Sequence, residues 1–175
     1  MLKKILLGIA ILVAAILVLA LAKPDRFEVQ RAIRIGAASD SIFPYLDDFH
    51  NWGQWSPWEK LDPAMSRTFS GPASGVGAEY AWTGNKDVGR GRMEIMESVP
   101  SSRLLIALDF LEPFESHNTA EFVLAPAGDS TDVTWTMRGP NLFIGKVMSV
   151  FVSMDKLVGS DFESGLANLK AAAER

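Results

Sequence analysis

The chain offers few groups that could do chemistry, and their spacing argues against most reactions. His50 and His117 are its only imidazoles. Asp47, Asp48 and His50 would give a metal two carboxylates and a ring nitrogen, yet adjacent residues on one helical turn diverge and no second histidine follows at ligand spacing. His117 falls on the outward parity of an alternating stretch. The absence of cysteine removes thiolate metal sites, disulfides, a cysteine nucleophile and a lipidated N-terminal cysteine together. Gly71-Pro72-Ala73-Ser74-Gly75 is not a nucleophile elbow. Gly75-Val76-Gly77 has no glycine at Tyr80 and leads into a strand, so it is not a dinucleotide fingerprint. Three polar residues, Arg31, Glu97 and Asn118, take the inward parity of their strands. They form an ordinary buried network, sit where the sheet edge reaches water, or orient a polar head inside an apolar cavity. An enzymatic version would use Glu97 as acid or base, with Asn118 or Arg31 holding an oxyanion. No catalytic residue, metal ligand or cofactor is assigned.

The stretch Phe49-His50-Asn51-Trp52-Gly53-Gln54-Trp55-Ser56-Pro57-Trp58 holds three of the five tryptophans. Gly53 weakens a helix there and Pro57 lacks a backbone donor, so a folded aromatic loop is expected rather than one regular element. Large rings on an irregular connection plug a core or line the mouth of a cavity. Trp52, directly after a helix, reads as a plug, and Trp55 and Trp58 as ligand contacts.

The elements around this loop follow from periodicity. Phe27, Val29, Ile33 and Ile35 alternate with polar residues as in a half-buried strand. Ile42, Leu46 and Phe49 recur at helical spacing, with Pro44 tolerable only in a first turn. Ser66 to Ser70 reads as a short strand. Five alternating strands follow, centred on Tyr80 and Trp82, on Met93 and Ile95, on Leu108 and Phe110, on Ala120 and Phe122, and on Trp135 and Met137, with links short enough for hairpins. Beyond Gly139-Pro140, Leu142 to Val152 fits a helix. A second helix carries the stripe Met154, Val158, Phe162, Leu166 and Leu169, interrupted by Gly159 and Gly165, where a close backbone approach or room for a bound molecule would compensate.

With 48% hydrophobic residues and 22% charged, the chain can bury a core, which excludes disorder. The formal charge is −4 and no basic run matches a phosphate backbone, so nucleic acid is not an expected partner. Ile5 to Ala22 is an uncharged apolar run between Lys3-Lys4 and Lys23-Pro24-Asp25-Arg26. As a helix it reaches roughly 27 Å, close to one hydrocarbon core. Residues 1–25 are therefore expected to anchor the chain in a cell membrane as a single-pass helix, N-terminus cytoplasmic and residues 26–175 outside. Ala20-Leu21-Ala22 leaves cleavage and secretion as the alternative.

One strand, a helical excursion, antiparallel strands and a terminal amphipathic helix make an α+β layout. The order of elements, the loop Asn51 to Trp58, the Gly-rich approach to Tyr80-Ala81-Trp82, the strand Val133-Thr134-Trp135-Thr136-Met137 and the ending Met154-Asp155-Lys156 through Lys170 resemble the START-like (SRPBCC) superfamily. More narrowly, they resemble its polyketide cyclase/dehydrase and lipid transport branch, from about Arg26 to the C-terminus. The resemblance implies a helix-grip fold, a curved antiparallel sheet wrapped around a long C-terminal helix, with a hydrophobic cavity between them. It implies a cavity wall of Trp55, Trp58, Tyr80, Trp82, Met93, Ile95, Leu108, Phe110, Asn118, Phe122, Trp135, Met137 and Phe162, with Arg31 and Glu97 as polar cavity groups. The expected ligand is a hydrophobic small molecule or lipid. The alternatives are an enzyme acting on an apolar polyketide-like substrate, and an envelope module whose outer sheet face or Trp loop meets another protein.

Overall fold

The computed structural model describes all 175 residues. Helix α1, Leu2–Leu21, is apolar beyond Lys3 and Lys4 and buries only Ala20. It is long and apolar enough to cross a membrane. Strand β1, Arg26–Ile35, follows after four residues. The chain then makes its helical excursion through α2 (Ser39–Ile42), α3 (Pro44–Asp47), a 3₁₀ turn (Phe49–Gln54) and α4 (Trp58–Leu61). The single helix expected over Ile42 to Phe49 is thus two short ones. Pro44 stands at the start of α3, where its missing N–H costs least, and breaks the continuity with α2.

The remaining strands are β2 (Ser66–Ser70), β3 (Glu79–Thr83), β4 (Arg90–Val99), β5 (Arg103–Glu112), β6 (Ser116–Ala127) and β7 (Ser130–Pro140). They form one seven-stranded sheet in the order β1-β7-β6-β5-β4-β3-β2, antiparallel at every joint. The excursion carries the chain from one sheet edge to the other, and hairpins bring it back to close on β1. The expected helix over Leu142 to Val152 is shorter, α5 (Phe143–Met148). Ser153 then caps α6, Met154–Ala173, by accepting from the Lys156 N–H.

The curved sheet presents one face to α6 and one to water, the α+β helix-grip architecture. On the water side an ion-pair chain crosses five strands, from Glu28 through Arg138, Glu121 and Arg103 to Glu97. Under α6, both helical glycines prove to be close approaches. A Cβ at Gly159 would meet the Arg31 guanidinium, and one at Gly165 would lie 3.0 Å from the Trp135 ring and 3.2 Å from Pro57.

Candidate functional site

Between α6 and the concave sheet face lies a cavity of about 190 Å³, lined by 16 residues, 14 of them hydrophobic. Alternation builds most of it. Tyr80 and Trp82 on β3, Met93 on β4, Leu108 and Phe110 on β5, Ala120 on β6 and Trp135 and Met137 on β7 all take the inward parity. Val158 and Phe162 come down from α6, Met65 and Val88 from the connections flanking β2 and β3, and Trp52, Ser56, Trp58 and Glu59 from the aromatic segment. A Cβ at Gly91 would strike the Trp82 ring and the Asp109 carbonyl, so a bare glycine lets that tryptophan lie across its neighbouring strand. The Trp82 Nε1–H donates to the Val88 carbonyl at 3.0 Å, which ties the β3–β4 connection down as one wall.

One aromatic stack divides the interior. Trp135 lies parallel to Phe162 with ring centres 4.0 Å apart, and to Phe122 at 4.9 Å. Trp55 and Trp58 meet Trp135 at steep angles, at 5.5 and 5.7 Å. Such edge-to-face contacts are favourable beyond the area they bury. Trp135 Nε1 and Asn118 Oδ1 are the buried side-chain polar atoms without a protein partner. The cavity's charged group is fully engaged: Glu59 accepts from Tyr80 Oη on one carboxylate oxygen and from Arg67 Nε, at 2.6 Å, on the other. Burial and then the Glu59 carboxylate raise the Tyr80 pKa far above the usual phenol value, so the phenol stays a donor.

Residues 26–174 match the family described as polyketide cyclase / dehydrase and lipid transport. The chain belongs to that family. No curated protein matches the sequence. Among solved structures it is similar to protein CV1439 from Chromobacterium violaceum, at 14% identity and a TM-score of 0.60, over 87% of this chain and 99% of that one. It is similar also to a protein from Thermobifida fusca, at 19% and 0.62 over 83% and 92%, and to the Aha1 dimer from Colwellia psychrerythraea, at 18% and 0.57 over 85% and 96%. At these identities the likeness establishes the START-like fold alone.

Within this family member, nine residues of the anticipated wall face the cavity: Trp58, Tyr80, Trp82, Met93, Leu108, Phe110, Trp135, Met137 and Phe162. Four do not. Ile95 and Phe122 take the inward parity but sit in solid core. Asn118 is buried with its amide on Ser116 and Leu108, its oxygen pressed against Gly139. Trp55 is wholly buried, its Nε1–H donating to the Tyr45 carbonyl at 2.8 Å, whereas Trp52 lines the cavity, so the two exchange the positions expected of them.

The polar cavity groups need correction. Arg31 does reach under α6, but its guanidinium leaves the cavity to pair with Asp155 and Glu163, both at 2.7 Å. Glu97 does not face inward at all. A bulge between Ile95 and Glu97 leaves Met96 unpaired opposite β5, which reverses the parity of everything after it. Ser98 turns in to donate to Asp47, and Glu97 turns out to Arg103. The acid–base pairing of Glu97 with Asn118 therefore has no geometric basis. The histidines are also engaged on the surface: His50 bonds Asp48 and stacks on Phe69, and His117 bonds Asp109. Of the lining residues not anticipated, Ala120 and Val158 already carried the right periodicity, whereas Ser56, Met65 and Val88 sit in connections and Glu59 in the one-turn helix α4, where sequence gives no inward direction.

Proposed function

We propose that residues 26–175 form a START-like domain that takes a small apolar molecule, or part of a single-chain lipid, into the cavity, and that residues 1–25 tether it to a membrane. The N-terminus is cytoplasmic and the domain extracytoplasmic in this reading. The observation that carries it is the cavity itself, a void kept open in a core that is otherwise close-packed. Empty apolar space forfeits dispersion contacts, so such a void persists only where something offsets the loss.

Size sets the ligand class. About 190 Å³ slightly exceeds a cavity of about 150 Å³ that admits benzene. It falls below the roughly 300–1,000 Å³ of pockets that enclose drug-sized ligands. One or two rings, or a stretch of one acyl chain, fit; a two-chain phospholipid does not. Because Glu59 has both oxygens engaged, it offers nothing to a cationic head without breaking its own bonds.

The test uses the full chain purified in detergent. Organic extraction and mass spectrometry should find one class of apolar compound in proportion to protein. After its removal, 1-aminonaphthalene should bind with energy transfer from the lining tryptophans. A chain that carries no apolar compound and leaves that fluorophore in water would overturn the reading.

A further inference from the structure

The antiparallel order gathers one end of each of the seven strands along one margin of the sheet, β2 among them with Ser66 opposite Thr83. Arg26 lies opposite Pro140, Phe110 opposite Ser116, and Arg90 opposite both Thr83 and Glu112. Helix α1 joins the domain at this edge. Asn141 fastens the junction: its backbone N–H donates to the Asp25 carbonyl at 2.8 Å, and its side-chain amide donates to the Pro24 carbonyl at 3.1 Å. Lys146 closes it with an ion pair to Asp25. In this way α5 is held beside α1, and it buries none of its own residues.

From Leu142 to Val152 the chain has a single charge, that of Lys146. Leu142, Phe143, Ile144, Met148, Phe151 and Val152 are all exposed, Phe151 to 68%. Soluble domains seldom leave such contiguous apolar surface to water. Nothing in the domain covers it, and the element it continues into is the apolar helix α1. The cavity lies at the same edge, for its half-buried lining residues Val88, Leu108 and Phe110 flank the strand ends named above. Val158, also half-buried and lining, stands one turn into α6, directly after the apolar segment.

We propose that the segment Leu142–Val152 enters the lipid bilayer beside α1, and that the cavity mouth between Val158 and Phe110 opens at the membrane surface. Ligand then passes between lipid and cavity without crossing bulk water. The inference rests on the reading of α1 as an anchor and adds a second, independent membrane contact. Amphipathic helices that lie in the interface bury their apolar face roughly 5–10 Å into the headgroup boundary, the order of depth a short apolar segment can reach.

The absence of cysteine makes the test direct. Single substitutions Phe143→Cys, Phe151→Cys, Leu12→Cys and Val76→Cys in the full chain are labelled with an environment-sensitive fluorophore. The protein is reconstituted into phosphatidylcholine vesicles with or without nitroxide-labelled lipid. All four side chains are exposed, so the labels leave the core undisturbed. Val76, in the turn before β3 at the opposite sheet edge, gives the background. Labels at 143 and 151 should be quenched several-fold more than the label at 76. Quenching at 12 with only background at 143 and 151 overturns the inference and spares the anchor. Quenching at 143 and 151 without quenching at 12 removes the anchor and overturns the placement of the segment beside α1. Background at all three sites overturns both.

Discussion

The space between α6 and the sheet is solid at one end and hollow at the other, and Trp135 stands between the two. At the solid end Trp55, Phe122, Ile95, Leu104 and Leu166 are fully buried, and the Asn168 side chain locks the loop to α6 by donating to the Trp55 carbonyl. At the hollow end the same kinds of side chain, Trp58, Trp82, Leu108, Phe110 and Val158, surround a void. Residue type does not separate the ends. The difference is what α6 and the aromatic segment insert. Near Gly165 the helix approaches closely enough for Pro57 to pack against it beside Trp135, whereas near Val158 α6 presents only a valine between Met154 and Phe162, and the Arg31 side chain turns out past Gly159. A hollow end costs stability, and a protein keeps that cost where the space is used.

The largest effect that would break this comparison is a tryptophan truncation at each end. Trp55→Ala removes a fully buried indole and its bond to Tyr45, and should cost about 3–5 kcal/mol in chemical denaturation. Trp58→Ala should cost clearly less, because that ring is half-buried and already faces empty space, but it should weaken 1-aminonaphthalene binding. Equal losses of stability would mean that the two ends are packed alike.

Next is Gly91→Ala. The added methyl meets both the Trp82 ring and the backbone of β5, and rigid backbone does not yield. Overpacking of this kind costs roughly 1–3 kcal/mol. Trp82 must also shift, so binding and stability should fall together. Ala120→Leu is the contrasting change, since its longer side chain projects into the void. Stability should stay within about 1 kcal/mol of the parent, in line with tolerated hydrophobic exchanges, while 1-aminonaphthalene binding falls at least tenfold. A stability loss as large as that of Gly91→Ala would show the cavity to be closed when no ligand is bound.

Much of this contrast is invisible in sequence for identifiable reasons. Strand parity was legible because one sheet face is buried and the other carries ion pairs, so Tyr80, Trp82, Met93, Trp135 and Met137 could be oriented before any coordinates. Parity says inward, but not whether inward is filled: Phe122 and Met137 share a strand pairing region and end on different sides of Trp135. Glu97 was misplaced because a single bulged residue, Met96, reverses all that follows, and nothing in the local composition marks it. Trp52 and Trp55 changed places because the 3₁₀ turn ends at Gln54, and Trp55 leaves the three-residue register that would have set it over Trp52. The exposed face of α5 has the apolar pattern of a core helix. Only the coordinates show that no core receives it.

The smallest effect separates the inner and outer faces of the hollow end's wall. Leu108 and Phe110 line the cavity, while Asp109 between them points outward to His117 Nδ1 at 2.8 Å and Arg92 Nε at 2.9 Å. The hydrogen bond and charge of Asp109 raise the His117 pKa above its usual value. Its share of stability is therefore complete below the unfolded histidine pKa, about 6.5, and is lost as pH rises through the elevated folded value. Burial alone would raise Asp109, but the bonds from His117 and Arg92 outweigh it and leave its pKa lowered. That share is complete above the unfolded aspartate pKa, about 3.9, and is lost as pH falls through the depressed folded value. The triad thus contributes most between roughly pH 4 and 6.5. Since His117 is exposed and Glu115 also faces it at 3.6 Å, the loss on the alkaline side should be small and should shrink with salt. Denaturation midpoints followed from pH 5 to 9 should decline in the parent and flatten in His117→Gln, because glutamine keeps a neutral contact to Asp109 but cannot titrate. Binding of 1-aminonaphthalene should be the same in both proteins across that range, because the titrating pair lies on the far side of the sheet from the void. A pH-dependent affinity abolished by His117→Gln would mean that the wall moves as a whole, and that the hollow end is held open from its outer face.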